Sequence, residues 1–201
     1  MEAVTRLAVL ALSLLALACS GEGSARTSRH ALASARPETH AAATFAVTSP
    51  AFAAGSGVPL RHSAYGEGLS PPLAWSGLPE RTRSLAIMME DPDATSARPY
   101  VHWLAWNIDP AAGALPEGVP PAVELSQPVA IRQGRNTRGG IGYFGPRPHG
   151  SQPHHYHFQL FALDAPLVLP GGADREALLA AMSGHVLAQG ELVGLFAQPR
   201  H

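Results

Sequence analysis

The sequence predicts a mostly β fold: a two-sheet antiparallel β-sandwich with short helices, one of them near the C-terminus. The first observation is composition, because 20 Gly and 19 Pro among 201 residues interrupt the chain too often for a helical bundle. The second is a series of short apolar or alternating segments separated by turn residues. The third is that a clear helical pattern occurs once, late in the chain.

Each predicted element rests on its own pattern. Residues 84–90 and 101–108 are near-continuous apolar runs, which is typical of buried strands in a sandwich. Residues 156–164 alternate and are rich in aromatic side chains, and residues 44–49 alternate before a proline. Residues 174–182 predict the helix, with an aspartate in the first turn and a glycine just past the end. Weaker patterns predict further strands at residues 58–62, 73–75, 129–131, 141–142 and 192–196.

The N-terminus is predicted to be an export signal. Arg6 precedes an apolar run over residues 7–18, which is too short to span a bilayer but suits the core of a signal peptide. Ala16 and Ala18 form a small-x-small cleavage site directly before Cys19, the one cysteine of the chain. This resembles a bacterial lipoprotein signal, in which the cysteine is lipidated. Ordinary secretion with cleavage at the same bond is the alternative.

This interpretation divides the chain into three parts. Residues 1–18 are the predicted signal peptide, residues 19–43 a flexible tether of small and polar residues, and residues 44–201 the folded domain. We therefore expect an exported protein of the bacterial cell envelope, anchored to the membrane through a lipid at Cys19. Without the lipid it would be periplasmic or secreted.

Charge and motif content exclude several functions. The chain has 14 basic and 15 acidic residues and a net charge of −1, so it has no basic field to hold a nucleic acid. All 14 basic residues are arginine, which excludes Schiff-base and P-loop lysine chemistry. The sequence has no H-E-x-x-H motif, no cysteine pair and no G-x-S-x-G motif. We expect no metal ion, no cofactor and no catalytic nucleophile.

The residues that could carry chemistry lie at strand ends and in one loop. Asp91 and Asp93 flank Pro92 directly after a predicted strand, where a carboxylate could orient an imidazole or could simply shape a turn. His102 opens the next strand. Strand alternation places His154 and Tyr156 on one face, with the neighbouring histidines at 155 and 157 on the other. Residues 139–150 form a Gly/Pro loop whose backbone could approach an anion, or which could be only a wide turn.

Four segments in this order resemble the bacterial branch of the phosphatidylethanolamine-binding protein family, also called Raf-kinase-inhibitor-like proteins. They are residues 70–75 (SPPLAW), 91–94 (DPDA), 102–107 (HWLAWN), and the run from 142–146 (GYFGP) to 154–158 (HHYHF). The resemblance covers about residues 44–196. It implies two antiparallel sheets with helices near the C-terminus and a small anion pocket at one end of the sandwich. Carried over by position, the pocket residues are Asp91, Pro92, Asp93, His102, Gly145, Pro146, His154 and Tyr156.

The resemblance predicts a binding or regulatory protein for a phosphate monoester or a phospholipid headgroup. The donors to the phosphate would be the His102 and His154 imidazoles, the Tyr156 hydroxyl and backbone N–H groups of the glycine loop. Arg147 stands where the family usually has a small residue or cysteine and could add an anion contact. The resemblance also allows a protein partner, which the sequence does not identify. The alternatives are a hydrolase of small esters or phosphoesters using Asp91 with His102 or His154 as acid and base, and an envelope protein with a vestigial pocket.

Overall fold

Two β-sheets form the body of the protein in a computed structural model that describes residues 31–200. The larger sheet has seven strands in the order β1-β10-β9-β4-β5-β8-β7, and the smaller has three in the order β2-β3-β6. All pairings are antiparallel except β1 with β10, which is parallel. The predicted two-sheet sandwich is therefore confirmed.

The strands differ greatly in length. The long strands of the larger sheet are β4 (Ser84–Asp91), β5 (Tyr100–Ile108), β9 (His154–Leu163) and β10 (Val186–Phe196). The short strands are β1 (Ala43–Thr44), β2 (Ala46–Thr48), β3 (Leu73–Ser76), β6 (Ala114–Leu115), β7 (Glu124–Leu125) and β8 (Ile131–Gln133). Short 3-10 turns span Ala33–Ala35, Pro37–Thr39, Leu60–His62 and Pro110–Ala112.

The centre of the larger sheet is buried on both faces. Leu85, Ile87 and Met89 of β4 point into the core between the two sheets. The alternate residues Ala86 and Met88 belong to a second apolar cluster on the opposite face. Every residue of β4 is buried, which explains why its sequence is a continuous apolar run and not an alternating one.

The second cluster is covered by the α-helix α1 (Arg175–Met182). Asp174 caps the helix by accepting a hydrogen bond from the backbone N–H of Ala177 at 3.0 Å. Leu178 and Met182 are buried against the sheet. The predicted helix over residues 174–182 is confirmed. Its first predicted residue, Asp174, is the N-cap, and the helix itself begins at Arg175.

Some predicted elements differ from the structure. Residues 58–62 are not a strand, because Pro59 lacks the N–H that a ladder needs and Leu60–His62 turns in a 3-10 helix. The segment 44–49 is shared between β1 and β2, which join different sheets. Residues 141–142 contribute a single isolated bridge. The last strand begins at Val186, six residues before the predicted start, because Gln189, Gly190 and Glu191 interrupt the apolar pattern although they pair regularly with β9.

The later part of the predicted tether is packed on the domain and is not a free linker. We call residues 31–40 the N-terminal strap. Ala33 and Thr39 are fully buried, and the Ala33 N–H donates to Glu90 Oε2 at 2.7 Å. The strap docks because it satisfies polar groups that are buried behind the sheet, a cause that leaves no apolar pattern in the sequence. The predicted signal peptide, Cys19 and the start of the tether lie outside the described residues.

Over residues 31–200, no helix is both long enough and apolar enough to cross a membrane.

Candidate functional site

A cleft of about 380 Å³ lies at the end of the larger sheet where β4 ends and β5 and β9 begin. Because these neighbouring strands are antiparallel, the end of one and the starts of the other two meet at the same edge. The loops after β4 and before β9 close the sides. The lining residues are Asp91, Ala94, Thr95, Ser96, Tyr100, His102, Arg138, Phe144, Arg147, Pro148, His149, His154 and Tyr156.

A buried carboxylate and a histidine form the floor of the cleft. His154 Nδ1 lies 2.8 Å from Asp91 Oδ2, and the Asp91 side chain is 4% exposed. Asp91 Oδ1 accepts the backbone N–H groups of Asp93 and Ala94 at 2.8 and 3.1 Å. The carboxylate therefore shapes the turn after β4 and also orients the imidazole. Both roles considered for this aspartate from the sequence apply at once.

His102 reaches the cleft because of a β-bulge. Met89 pairs with Trp103 and Glu90 pairs with Val101, so His102 is the extra residue of β5. Val101 packs in the cluster beneath α1, whereas Trp103 packs between the sheets. In a regular strand these two residues would share a face; the bulge turns His102 toward the cleft.

The protonation state of His102 is set by its surroundings. Its Nδ1 lies 2.6 Å from the backbone oxygen of Phe144, and the residue is 2% exposed. A carbonyl only accepts, so Nδ1 carries the proton. Burial lowers the pKa of His102 to about 4, an effect that the Phe144 carbonyl and Asp91 oppose and that His154 reinforces. His102 is therefore neutral near pH 7, and its N–H is used within the protein and not left for a ligand.

Tyr156 places an unpaired hydroxyl beside this pair. The oxygen is fully buried and forms no hydrogen bond of ordinary geometry within residues 31–200, although the Asp91 carboxylate and the backbone of Arg147 both lie next to it. Burial raises the pKa of Tyr156, and the Asp91 carboxylate adds to the rise. The group is a neutral hydroxyl without a well-formed hydrogen bond among the described residues.

Two arginines lie at the mouth of the cleft. The Arg138 guanidinium carbon is 4.8 Å from the centroid of the Phe144 ring, a cation–π contact. Burial raises the pKa of Tyr100, and the charges of Arg138 and Arg147 oppose that rise. Neither arginine pairs with a carboxylate among the described residues. Their positive charge is therefore directed at the cleft and the solvent.

Four of the eight residues predicted for the pocket line the cleft: Asp91, His102, His154 and Tyr156. Pro92, Asp93, Gly145 and Pro146 do not. Asp93 bonds His155 outside the cleft, at 2.7 Å to both its backbone N–H and its Nδ1. Burial tends to raise the pKa of Asp93, but these bonds outweigh it and the net shift is downward.

Gly145 has a packing role. A Cβ built on it would lie 2.5 Å from the backbone oxygen of His62. The glycine lets the loop before β9 press against residues 62–64, which fixes the adjacent Phe144.

Several residues of the cleft lie outside the predicted site motifs. Tyr100, Arg138, Phe144 and His149 were not singled out as site residues, although the predicted loop contains Phe144 and His149. Arg138 is held by Asn136, whose Oδ1 accepts the backbone N–H groups of Arg138 and Gly140 at 3.1 Å each. The sequence signal is an asparagine with two glycines three and four residues later, a composition typical of a tight turn.

The described residues bring together no group of three or more His, Cys, Asp or Glu side chains that could hold one metal ion.

Residues 48–197 match the family model described as phosphatidylethanolamine-binding protein. That match covers most of the chain, and the protein belongs to the phosphatidylethanolamine-binding protein family. The fold, the order of the motifs and the cleft at the end of the sheet agree with this assignment.

Relatives of known sequence and structure are similar over the same region. A UPF0098 protein of Pyrococcus horikoshii is 46% identical over 140 residues, which are 69% of this chain and 70% of that protein. LppC of Mycobacterium tuberculosis, named as a lipoprotein, is 38% identical over 157 residues, 78% of this chain and 74% of its own. The crystal structure of a phosphatidylethanolamine-binding protein homologue from Chlamydia trachomatis has a TM-score of 0.70 and 35% identity, covering 78% of this chain and 99% of that one.

Proposed function

We propose that this protein is an exported, lipid-anchored binding protein whose cleft takes the phosphate group of a monoester or a phospholipid headgroup. One observation carries the proposal. The Asp91–His154 pair and the unpaired Tyr156 hydroxyl lie in a cleft whose mouth holds Arg138 and Arg147, neither of which has a carboxylate partner among the described residues.

The charges in the cleft favour an anion. Arg138 and Arg147 are two fixed positive charges, and His154 adds a third when its ring is protonated. Asp91 is the one carboxylate that residues 31–200 contribute to the lining, and both of its oxygens accept hydrogen bonds from the protein. A phosphate that enters would meet donors from the arginines, the Tyr156 hydroxyl and a protonated His154.

Export and anchoring are supported by the N-terminal pattern ending at Cys19 and by the similarity to LppC, which is named as a lipoprotein. Phospholipid headgroups and envelope phosphates would then be the anions at hand.

A hydrolase is the second candidate, because an aspartate that holds His154 Nδ1 at 2.8 Å is the arrangement that supports a general base. His102 suits this role poorly, since its pKa of about 4 makes it a weak base. Turnover of a generic ester or phosphoester that disappears in His154→Ala would favour the hydrolase. Saturable binding without turnover favours the binding protein.

The test is an amide-shift NMR titration of the protein with phosphorylethanolamine at about pH 6 and about pH 8, since histidine titrates across this range. We expect saturable shifts at Asp91, His102, Phe144 and Tyr156, stronger at the lower pH. His154→Ala should abolish them. His155→Ala is the matched control, because His155 makes the same kind of pair with Asp93 outside the cleft. Equal loss in both variants, or no loss in His154→Ala, contradicts the proposal.

A further inference from the structure

We infer that His102 makes the cleft selective for phosphate monoesters over phosphodiesters, because its Nε2 accepts a hydrogen bond that a phosphate hydroxyl can donate. The inference rests on the proposed function and narrows its ligand. As a monoanion, a phosphate monoester still carries one P–OH group, whereas a phosphodiester monoanion carries none.

The direction of the His102 hydrogen bond is fixed by the backbone. Nδ1 donates to the Phe144 oxygen at 2.6 Å, so the ring proton is on Nδ1 and Nε2 carries a lone pair. The ring cannot turn over easily, because it stacks on Phe144 at 5.5 Å and 9° and meets the edge of Tyr156 at 5.1 Å and 82°. Nε2 is the one polar atom that His102 can present to the cleft.

The ring stays in this state over the range where a ligand would bind. Burial keeps the pKa of His102 near 4, so a second proton does not convert Nε2 into a donor. The titratable and charged groups that line the cleft with this ring are Asp91 from β4, Tyr100 from β5, and His154 and Tyr156 from β9, with Arg138, Arg147 and His149 from the loops. Within residues 31–200, none of them donates a hydrogen bond to Nε2.

An acceptor buried in a binding site favours ligands that satisfy it. A phosphate monoester below its second pKa, near 6, carries one negative charge and one P–OH group. A phosphodiester carries the same charge but brings no hydroxyl, so it would desolvate Nε2 and leave it unpaired. Sites built around a specific hydrogen bond discriminate strongly against analogues that lack its partner.

Methyl phosphate and dimethyl phosphate isolate this one difference. At about pH 5 both are monoanions, since the second pKa of phosphate lies near 6. We expect methyl phosphate to bind the protein at least about tenfold more tightly, as measured by amide-shift NMR titration. In His102→Asn the amide N–H can still donate to the Phe144 oxygen, but the acceptor at the Nε2 position is lost. The preference should fall to within about twofold in that variant.

A second readout does not need a variant. Long-range ¹H–¹⁵N spectra of the histidine rings should show His102 protonated on Nδ1 from about pH 5 to pH 8, well above its pKa of about 4. The Nε2 resonance should move when methyl phosphate is added and stay in place with dimethyl phosphate. This measurement keeps the inference testable if His102→Asn does not fold.

The outcomes separate the inference from the proposed function. If neither phosphate binds, the proposed anion site is wrong, and this inference falls with it. If both bind with equal affinity, the anion site stands and the selectivity is overturned. If the preference survives in His102→Asn, another acceptor such as Asp91 is responsible, and the role given to His102 is wrong.

Discussion

Glu90 and Asp91 are neighbours at the end of β4 and serve opposite faces of the larger sheet. Asp91 turns toward the cleft and holds His154. Glu90 is fully buried on the other face, where it accepts hydrogen bonds from the Ala33 backbone, the Gln159 side chain and the Arg175 guanidinium. Two consecutive residues of one strand therefore link the candidate site to the N-terminal strap.

Removing the carboxylate of Glu90 should destabilise the fold. Arg175, 7% exposed, would lose its buried partner, and the Ala33 N–H would lose its acceptor. We expect Glu90→Ala to lower the free energy of unfolding by about 3–5 kcal/mol. Denaturant titration measures it. Glu124→Ala is the matched control, because Glu124 meets Arg132 at the exposed surface, and its loss should be below about 1 kcal/mol. Similar losses in both variants would contradict a buried pair.

The buried, neutral His102 should make the protein lose stability in acid. Its folded pKa of about 4 lies below the ordinary 6.5, so the unfolded chain binds more protons between these values. The free energy of unfolding should therefore fall as pH drops from about 6.5 to about 4, by at most about 3 kcal/mol from this group. Above pH 6.5 the contribution is constant. His102→Asn, which cannot titrate, should show a shallower decrease by denaturant titration; an unchanged pH dependence would refute the assignment.

The Asp91–His154 pair should matter for binding more than for folding. In Asp91→Asn the amide oxygen can still accept the backbone N–H groups of the turn, but the amide nitrogen faces His154 Nδ1 and no longer accepts its proton. We expect phosphorylethanolamine affinity to fall about tenfold, the effect of losing one charged hydrogen bond. Asp93→Asn is the control outside the cleft and should bind as the parent does. An Asp91→Asn protein with full affinity would exclude this orienting role.

Gly145 should tolerate no side chain. A Cβ would lie 2.5 Å from the His62 oxygen and 2.7 Å from the Ala64 nitrogen, both of them backbone atoms. Gly145→Ala should lower the free energy of unfolding by about 1–3 kcal/mol. It should also weaken ligand binding in the cleft by displacing Phe144. Gly57→Ala, where a Cβ meets nothing within 4 Å, should be near neutral. Thermal unfolding of the two variants gives the comparison.

The sequence predicts regular strands better than it predicts the site. Alternation placed His154 and Tyr156 on one face of β9, and both line the cleft because that strand pairs without a bulge in this region. His102 lies on a bulged strand, where alternation fails. The face of the sheet to which its side chain points depends on the pairing with β4.

The loops and the strap show a second limit of sequence patterns. Arg138 and Phe144 reach the cleft through side-chain-to-backbone bonds of Asn136 and through the fit of Gly145, both of which depend on tertiary contacts. The strap shows no periodic pattern of apolar residues, because it is held by hydrogen bonds to buried polar groups of β4, β9 and α1. Such partners are distant in sequence and become visible once the sheet is formed.

The docked strap also limits how far an anchored molecule could range. If the chain is attached to a membrane at Cys19, the attachment point and Ala31 are twelve residues apart. Even fully extended, these twelve residues span at most about 40 Å, about half of the span of a tether that runs to Thr44. The start of the strap would then stay within about 40 Å of the bilayer surface. A short attachment of this kind raises the local concentration of any ligand carried at the membrane surface, so that weak contacts can be occupied without high affinity.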